Sequence, residues 1–312
     1  MAPGPLANGP ACRVRTGATS RPDLSGLPRG GWTRFAPAPT GYLHLGHVAN
    51  AIWVWGVARE VGARVVFRID DHDRVRSRPE YDAALIEDLA WLGFAADRGP
   101  TRHSDDAAPY RDALERLRAQ DLVYGCDCTR TTMAAWAAAN GGPWTGPGCP
   151  GGCRRRDLNG PVLRVAQGGG RETWMDGAIG PCAGDVAGAG DLALRDRDGN
   201  WTYPFTVVVD DLREDIDLVI RGRDLLHATP AQIRLGRLLG RPTQPAFVHH
   251  PLILRPDGRK LSKSSGDTAV RELREAGRTA EEVIALAAAA SGWGDPPTHS
   301  TEELGSAPST SG

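Results

Sequence analysis

The chain has 312 residues, 40% of them hydrophobic and 24% charged, with a formal net charge of −1. That balance gives room for two domains with real cores and excludes an extended disordered chain; near-neutrality also excludes a global basic field, so an RNA partner would have to meet a local basic face. No apolar run reaches a membrane span, and the N-terminus lacks the apolar centre of a signal peptide, which predicts a cytoplasmic protein with no membrane partner.

Residues 1–30 are Pro, Gly, Ser and Arg without periodicity and are expected to be a disordered extension. "WTRFAPAP" is a short β-type run closed by prolines, and "TGYLHLGHVANAIWVWGVAREVGA" carries apolar residues at helical spacing as far as Gly62. "RVVFRID" reads as a strand and "PEYDAALIEDLAWLGF" as a helix. Strand and helix alternating at this spacing predict a parallel sheet with right-handed crossovers. The pattern returns in "FTVVVDD" and "DIDLVIRG", read as strands, and in "TPAQIRLGRLLG", read as a helix capped by Thr229 with Pro230 in its first turn. "AFVHHPLIL" is a further strand, and "TAEEVIALAAAASGW" a last helix. The predicted fold is therefore α/β, a Rossmann-like doubly wound parallel sheet in two halves, 31–110 and 201–268. A Gly-rich insertion at 111–200 splits it, and a short helical segment at 269–294 and a disordered tail at 295–312 follow. Ligands of such sheets bind beyond the carboxyl ends of the strands.

Two motifs carry chemistry. In "LHLGH", His44 and His47 stand three apart where strand gives way to helix, with Gly46 between them. A helix N-terminus there is a ready anion site, and the glycine admits a flat ligand; two surface histidines capping a helix are the other reading. In "RPDGRKLSKSSGD", Lys260 and Lys263 are the only two lysines among 37 basic side chains. Flexible ammonium groups kept where arginine serves everywhere else suit a moving phosphate, though a solvated basic loop fits the stretch as well. The cysteines form a third constellation. Cys126 and Cys128, then Cys149 and Cys153, lie in turn-forming sequence at the spacing of a tetrahedral thiolate zinc site, the alternative being four reduced thiols. Disulfides are not expected in a reducing compartment, and Cys12 and Cys182 are left unassigned.

The pair HLGH and KLSKS, in this order and separation, resembles the two signatures of class I aminoacyl-tRNA synthetases. The segments "RFAPAPTGYLHLGH", "FRIDDHDRVRS", "TYPFTVVVDD", "LVIRGRDLLHATPAQIRL" and "HHPLILRPDGRKLSKS" resemble its glutamyl branch, a likeness running from about Arg34 to Gly266. The resemblance implies attack of an amino-acid carboxylate on the α-phosphorus of ATP, with Mg2+ accompanying the nucleotide. His44, Gly46 and His47 would hold ATP with His249, and Lys260 and Lys263 would clamp its β- and γ-phosphates. Arg34 and Arg221 match arginines that meet substrate carboxylates, and Tyr203 a pocket tyrosine. Asp70 stands where that branch usually has Glu to receive the substrate ammonium, and Ala38 where it commonly has Ser. Cys149 replaces a family tyrosine, which would make a structural Zn2+ site all-cysteine.

With about forty-five residues after Asp267, no anticodon-reading domain is expected. That truncation resembles the glutamyl-queuosine tRNA(Asp) synthetases, which activate glutamate without tRNA and attach it to queuosine in the anticodon loop of tRNA(Asp). Two other readings stay open: a truncated synthetase serving a carrier protein or small molecule, and a non-catalytic RNA-binding remnant. A monomer is expected.

Overall fold

The computed structural model describes residues 10–12, 22–139, 148–155, 160–253 and 268–293. In chain order its elements are β1 (Ala11–Cys12), β2 (Trp32–Phe35), α1 (Leu45–Val61), β3 (Arg64–Ile69), α2 (Pro79–Trp91), β4 (Arg98–Arg102), α3 (Ala108–Arg118), β5 (Val123–Cys126), α4 (Arg130–Ala139) and α5 (Gly152–Arg155). There follow β6 (Val162–Val165), β7 (Arg171–Asp176), β8 (Gly180–Asp185), β9 (Ala193–Arg195), α6 (Tyr203–Arg213), β10 (Leu218–Gly222), α7 (Thr229–Leu238), β11 (Ala246–His250), α8 (Val270–Glu275) and α9 (Ala280–Ser291).

Strands β2, β3 and β4 pair in parallel, as do β10 and β11. The two sets abut where Trp32 bridges Ile216 in parallel and the Asp217 N–H donates to the Trp32 carbonyl at 2.9 Å. The expected parallel core is therefore present, but the sheet as a whole is mixed. Strand β7 touches β11 in parallel at a single pair, while β8 runs antiparallel to β7 and β1 antiparallel to β8. A short turn at Gly177–Ile179 folds β7 and β8 into a ribbon, which needs no helical crossover. Part of the expected insertion thus extends the main sheet; β5, β6 and β9 form a separate antiparallel sheet.

Helix α1 is buried along most of its length and stops where Gly62 adopts a left-handed φ of 70°, as its sequence predicts. Its packing partner is α9. Trp293, just past α9, stands edge-on to Trp53 with ring centroids 4.8 Å apart, and a Cβ on Gly56 would meet its indole at 2.2 Å. Burying a side chain of this size stabilises the contact by about 2–3 kcal/mol.

Three expectations are corrected. "FTVVVDD" is helix α6, not a strand: its run of three valines has strand propensity, and tertiary packing, which buries every residue from Phe205 to Asp211, overrides it. Thr229 does not cap α7 with its side chain; its hydroxyl turns to Arg221 instead. The segment before β2 is not wholly irregular, because the antiparallel register of β1 and β8 sets Cys12 opposite Cys182 with Cα atoms 4.2 Å apart, and the two form a disulfide. The lysine loop with Lys260 and Lys263 and the tail 295–312 lie outside the described residues, as do 1–9 and 13–21 of the N-terminal segment. Among the described residues no helix is long and apolar enough to cross a membrane.

Candidate active site

A cleft of about 910 Å³ opens at the carboxyl ends of β2, β3, β10 and β11. Open α/β sheets place ligands there because the chain diverges to either face and leaves backbone groups and loops pointing outward.

The N-terminus of α1 forms one wall. His44 is its N-cap, in extended conformation, and its Nδ1 accepts from the Gly46 N–H at 3.0 Å. His47 reciprocates, its Nδ1 accepting from the His44 N–H at 3.2 Å, so each imidazole is fixed by backbone. The rings lie 4.0 Å apart between centroids. A Cβ at Gly46 would fall 2.8 Å from the His44 ring, so only glycine allows this cap. No acidic residue stands in the first turn, and the positive end of the helix dipole is left for an anion in the cleft.

The opposite wall rests on a buried network of charge. The Arg34 Nε donates to both Asp211 carboxylate oxygens, at 3.1 and 3.3 Å. Arg68, wholly buried, donates to Asp70 at 3.1 Å, Asp211 at 3.0 Å and Glu214 at 2.8 Å. Burial alone would depress its guanidinium; Asp211, Asp70 and Glu214 instead push it well above its usual value. His103 lies between Asp70, 2.9 Å from its Nε2, and Asp210. Burial works against the imidazolium here too, yet Asp70 and Asp210 raise it to about 9, so His103 is charged at neutral pH. For Asp70 burial favours the neutral acid, but His103 and Arg68 outweigh it and hold the carboxyl well below the usual carboxylate range. Asp70 therefore enters the cleft as a carboxylate whose orientation is set by two cations.

Arg221, at the end of β10, and Tyr203, the first residue of α6, also line the cleft. The Arg221 Nη1 donates to the Gln232 Oε1 at 2.6 Å and its Nη2 to the Thr229 hydroxyl at 2.9 Å. Ala38 contributes a methyl group to the wall. The structure corrects the place of His249: it is fully buried beneath Arg221 and does not reach the cleft. Its neighbour His250 lines the wall, with Nε2 3.0 Å from the Asn50 Oδ1, and burial lowers it to about 4, so it is neutral. One strand position separates them, and alternation turns their side chains to opposite faces. Two guanidinium groups, an oriented carboxylate and a helix N-terminus around one cleft can hold a zwitterion beside an anion.

Away from the cleft, the thiols of Cys126, Cys128, Cys149 and Cys153 lie within 4.8 Å of one another, with Cys128 3.2 Å from Cys153 and 3.8 Å from Cys149. A thiolate tetrahedron around Zn2+ has S–S edges of about 3.8 Å, from Zn–S bonds of ~2.3 Å, so the four could bind a metal ion. A hydrogen bond from Cys126, with the Cys153 and Gly151 amides and the Tyr124 hydroxyl, pulls the Cys149 thiol down to about 3 against burial, while that same bond and burial push the Cys126 thiol up.

The residues that sequence reasoning missed are those behind the wall: Arg68, His103, Asp210, Asp211, Glu214 and Asp176. Only the charges inside otherwise apolar runs, in "VVFRID" and "TVVVDD", hinted at them.

Three comparisons bear on this geometry. The family model for the catalytic domain of class I tRNA synthetases (E and Q) matches residues 32–142 and 154–302. Over 85% of its length the chain is 41% identical to a glutamyl-Q tRNA(Asp) synthetase of Symbiobacterium thermophilum, spanning 87% of that protein. A glutamyl-Q tRNA(Asp) synthetase of Rhodobacter capsulatus is 37% identical over 81% of the chain, which spans 98% of it. A glutamate–tRNA ligase of Oleidesulfovibrio alaskensis is also 37% identical, but the chain spans 60% of that longer protein. Among solved structures, a glutamate–tRNA ligase of Elizabethkingia meningosepticum in complex with its amino acid superposes with a TM-score of 0.64 at 26% identity, covering 80% of this chain and 53% of that one.

Proposed function

This chain belongs to the class I tRNA synthetases of the E and Q type, and from that premise we propose that it activates glutamate with ATP, without tRNA, and transfers it to queuosine at the wobble position of tRNA(Asp). The observation that carries the reading is a single cleft. Within it the His44–His47 helix N-terminus meets Arg34, Asp70, Tyr203 and Arg221, residues drawn from segments far apart in the chain. The likeness to two proteins named glutamyl-Q tRNA(Asp) synthetase supports the choice of acceptor.

In this reading Arg34 and Arg221 receive the carboxylates of glutamate, and Asp70 its ammonium, with Tyr203 closing the pocket. The reacting carboxylate is already ionised, so no general base is needed; rate comes from alignment with the α-phosphorus and from stabilising the charge that builds on the leaving pyrophosphate. His44 and His47, with the α1 N-terminus, hold the nucleotide, and Lys260 and Lys263 neutralise the β- and γ-phosphates. His249 takes no direct part; His250, to which the sequence reading gave no role, lines the wall. Mg2+, arriving with ATP, would add charge neutralisation at the phosphates. Attack by the acceptor on the acyl carbonyl then releases AMP. The four cysteines hold Zn2+ as a closed structural site that braces β5 and the segment following it. The reading also takes the chain as a catalytic core at 31–110 and 201–268 split by 111–200, cytoplasmic and monomeric.

Transfer of labelled glutamate tests the acceptor. The reading expects label on tRNA(Asp) that carries queuosine and none on the same tRNA with guanosine at that position. Equal labelling of both, at the 3′ end, would refute it.

A further inference from the structure

The buried residues beneath Arg221 form an ordered chain of hydrogen bonds. The Arg221 Nε–H donates to the His249 Nε2 at 3.1 Å, so that nitrogen is the acceptor and carries no proton. The ring proton therefore sits on Nδ1, which lies 2.5 Å from the Asp176 Oδ2. Burial lowers the His249 pKa, against the pull of Asp176, in keeping with a neutral imidazole. Asp176 is anchored in turn: its Oδ1 accepts the backbone N–H groups of Ala178 at 3.0 Å, Ile179 at 3.1 Å and His249 at 3.2 Å. Both Asp176 and His249 are essentially inaccessible to water.

We propose that Asp176 is a positioning residue for the carboxylate-binding Arg221: it fixes the tautomer of His249, and the His249 Nε2 then holds the inner edge of the guanidinium so that its free N–H groups face Tyr203 and the cleft. This deepens the proposed function, resting on Arg221 as a substrate-carboxylate ligand. A guanidinium has five N–H donors. His249, Thr229 and Gln232 take one each, and the remaining two are left for Tyr203 and a ligand carboxylate. If the tautomer reversed, the His249 Nε2–H would face the Arg221 Nε–H as a second donor and turn to the Thr229 hydroxyl oxygen, 3.2 Å away, so the Arg221 Nε–H would lose its acceptor.

Asp176→Asn forces that reversal. Three backbone amides require an oxygen at the Oδ1 position, so the side-chain NH2 of Asn must occupy the Oδ2 position and donate to the His249 Nδ1. The shape of the residue is conserved and only the proton moves.

The test combines 15N NMR of the His249 ring with glutamate-dependent ATP–pyrophosphate exchange. Expected are the Nδ1–H tautomer in the wild type and Nε2–H in Asp176→Asn, with a KM for glutamate raised at least about tenfold, as befits a charged hydrogen bond lost. The KM for ATP and kcat should stay within about threefold, a split that general loss of structure would not produce. An Nε2–H tautomer in the wild type overturns the proposal even if the variant fails to fold. So does a variant that switches tautomer while its glutamate KM is unchanged. Absence of glutamate-dependent exchange in the wild type would instead sink the proposed function, while the ring spectrum still decides whether Asp176 sets the tautomer.

Discussion

At the scale of single residues, the cleft is maintained by charges that never meet solvent. Arg68 serves three carboxylates at once, those of Asp70, Asp211 and Glu214. Arg68→Met would leave them facing one another without their cation, a loss of about 3–5 kcal/mol that urea unfolding would register. His103 adds a pH signature. It titrates near 9 in the folded chain against 6.5 for a free imidazole, so its contribution is complete below about 6.5 and is lost as pH rises through 9. That amounts to about 3 kcal/mol at most. Asp70 and Asp211, both held low, act oppositely: their contribution is present above the ordinary carboxylate range and disappears as pH falls through their folded values. Urea midpoints measured from pH 6 to 10 should therefore decline in the wild type and lose most of that slope in His103→Gln. These residues were not legible in the sequence, because Arg68, His103, Asp210 and Glu214 are linked only by the fold. By contrast His44, Gly46 and His47 could be found, since one turn of helix brings them together and their spacing records it.

At the scale of elements, the readable ones had punctuation at their ends or a run of β-branched residues inside. Helix α1 announced its end through Gly62; α9 begins after Thr279, whose hydroxyl accepts from the Glu282 N–H at 3.2 Å. Helix α6 was misread because its three consecutive valines look like a strand, although Thr206, Asp210 and Arg213 recur at helical spacing. The β7–β8 ribbon alternates buried and exposed residues along β7, but its glycines and proline hid it among loops. The start of α1 is the element that function depends on most. Gly46→Ala would push a methyl group into the His44 ring and break the reciprocal cap. The expected result is a KM for ATP raised at least about tenfold, with glutamate affinity measured by calorimetry changed little; unchanged ATP kinetics would remove the α1 N-terminus from the nucleotide site.

For the whole molecule, a disulfide and a cysteine cluster that could bind a metal ion lie outside the cleft. The Cys12–Cys182 disulfide closes a loop of 170 residues in sequence. Chain entropy sets its ceiling at about 5 kcal/mol, so dithiothreitol should lower the Tm of the wild type and leave that of Cys182→Ser unmoved. The cysteine cluster predicts one Zn2+ per chain by elemental analysis, reduced to near zero in Cys128→Ser/Cys153→Ser, with thermal stability falling in step. The cleft itself tests the central claim, that this catalytic core activates glutamate on its own. The most direct measurement is ATP–pyrophosphate exchange without tRNA, run with each amino acid and with Lys263→Ala as control. The account predicts exchange with glutamate alone, abolished in the variant. Exchange driven by another amino acid, or none without tRNA, would contradict it.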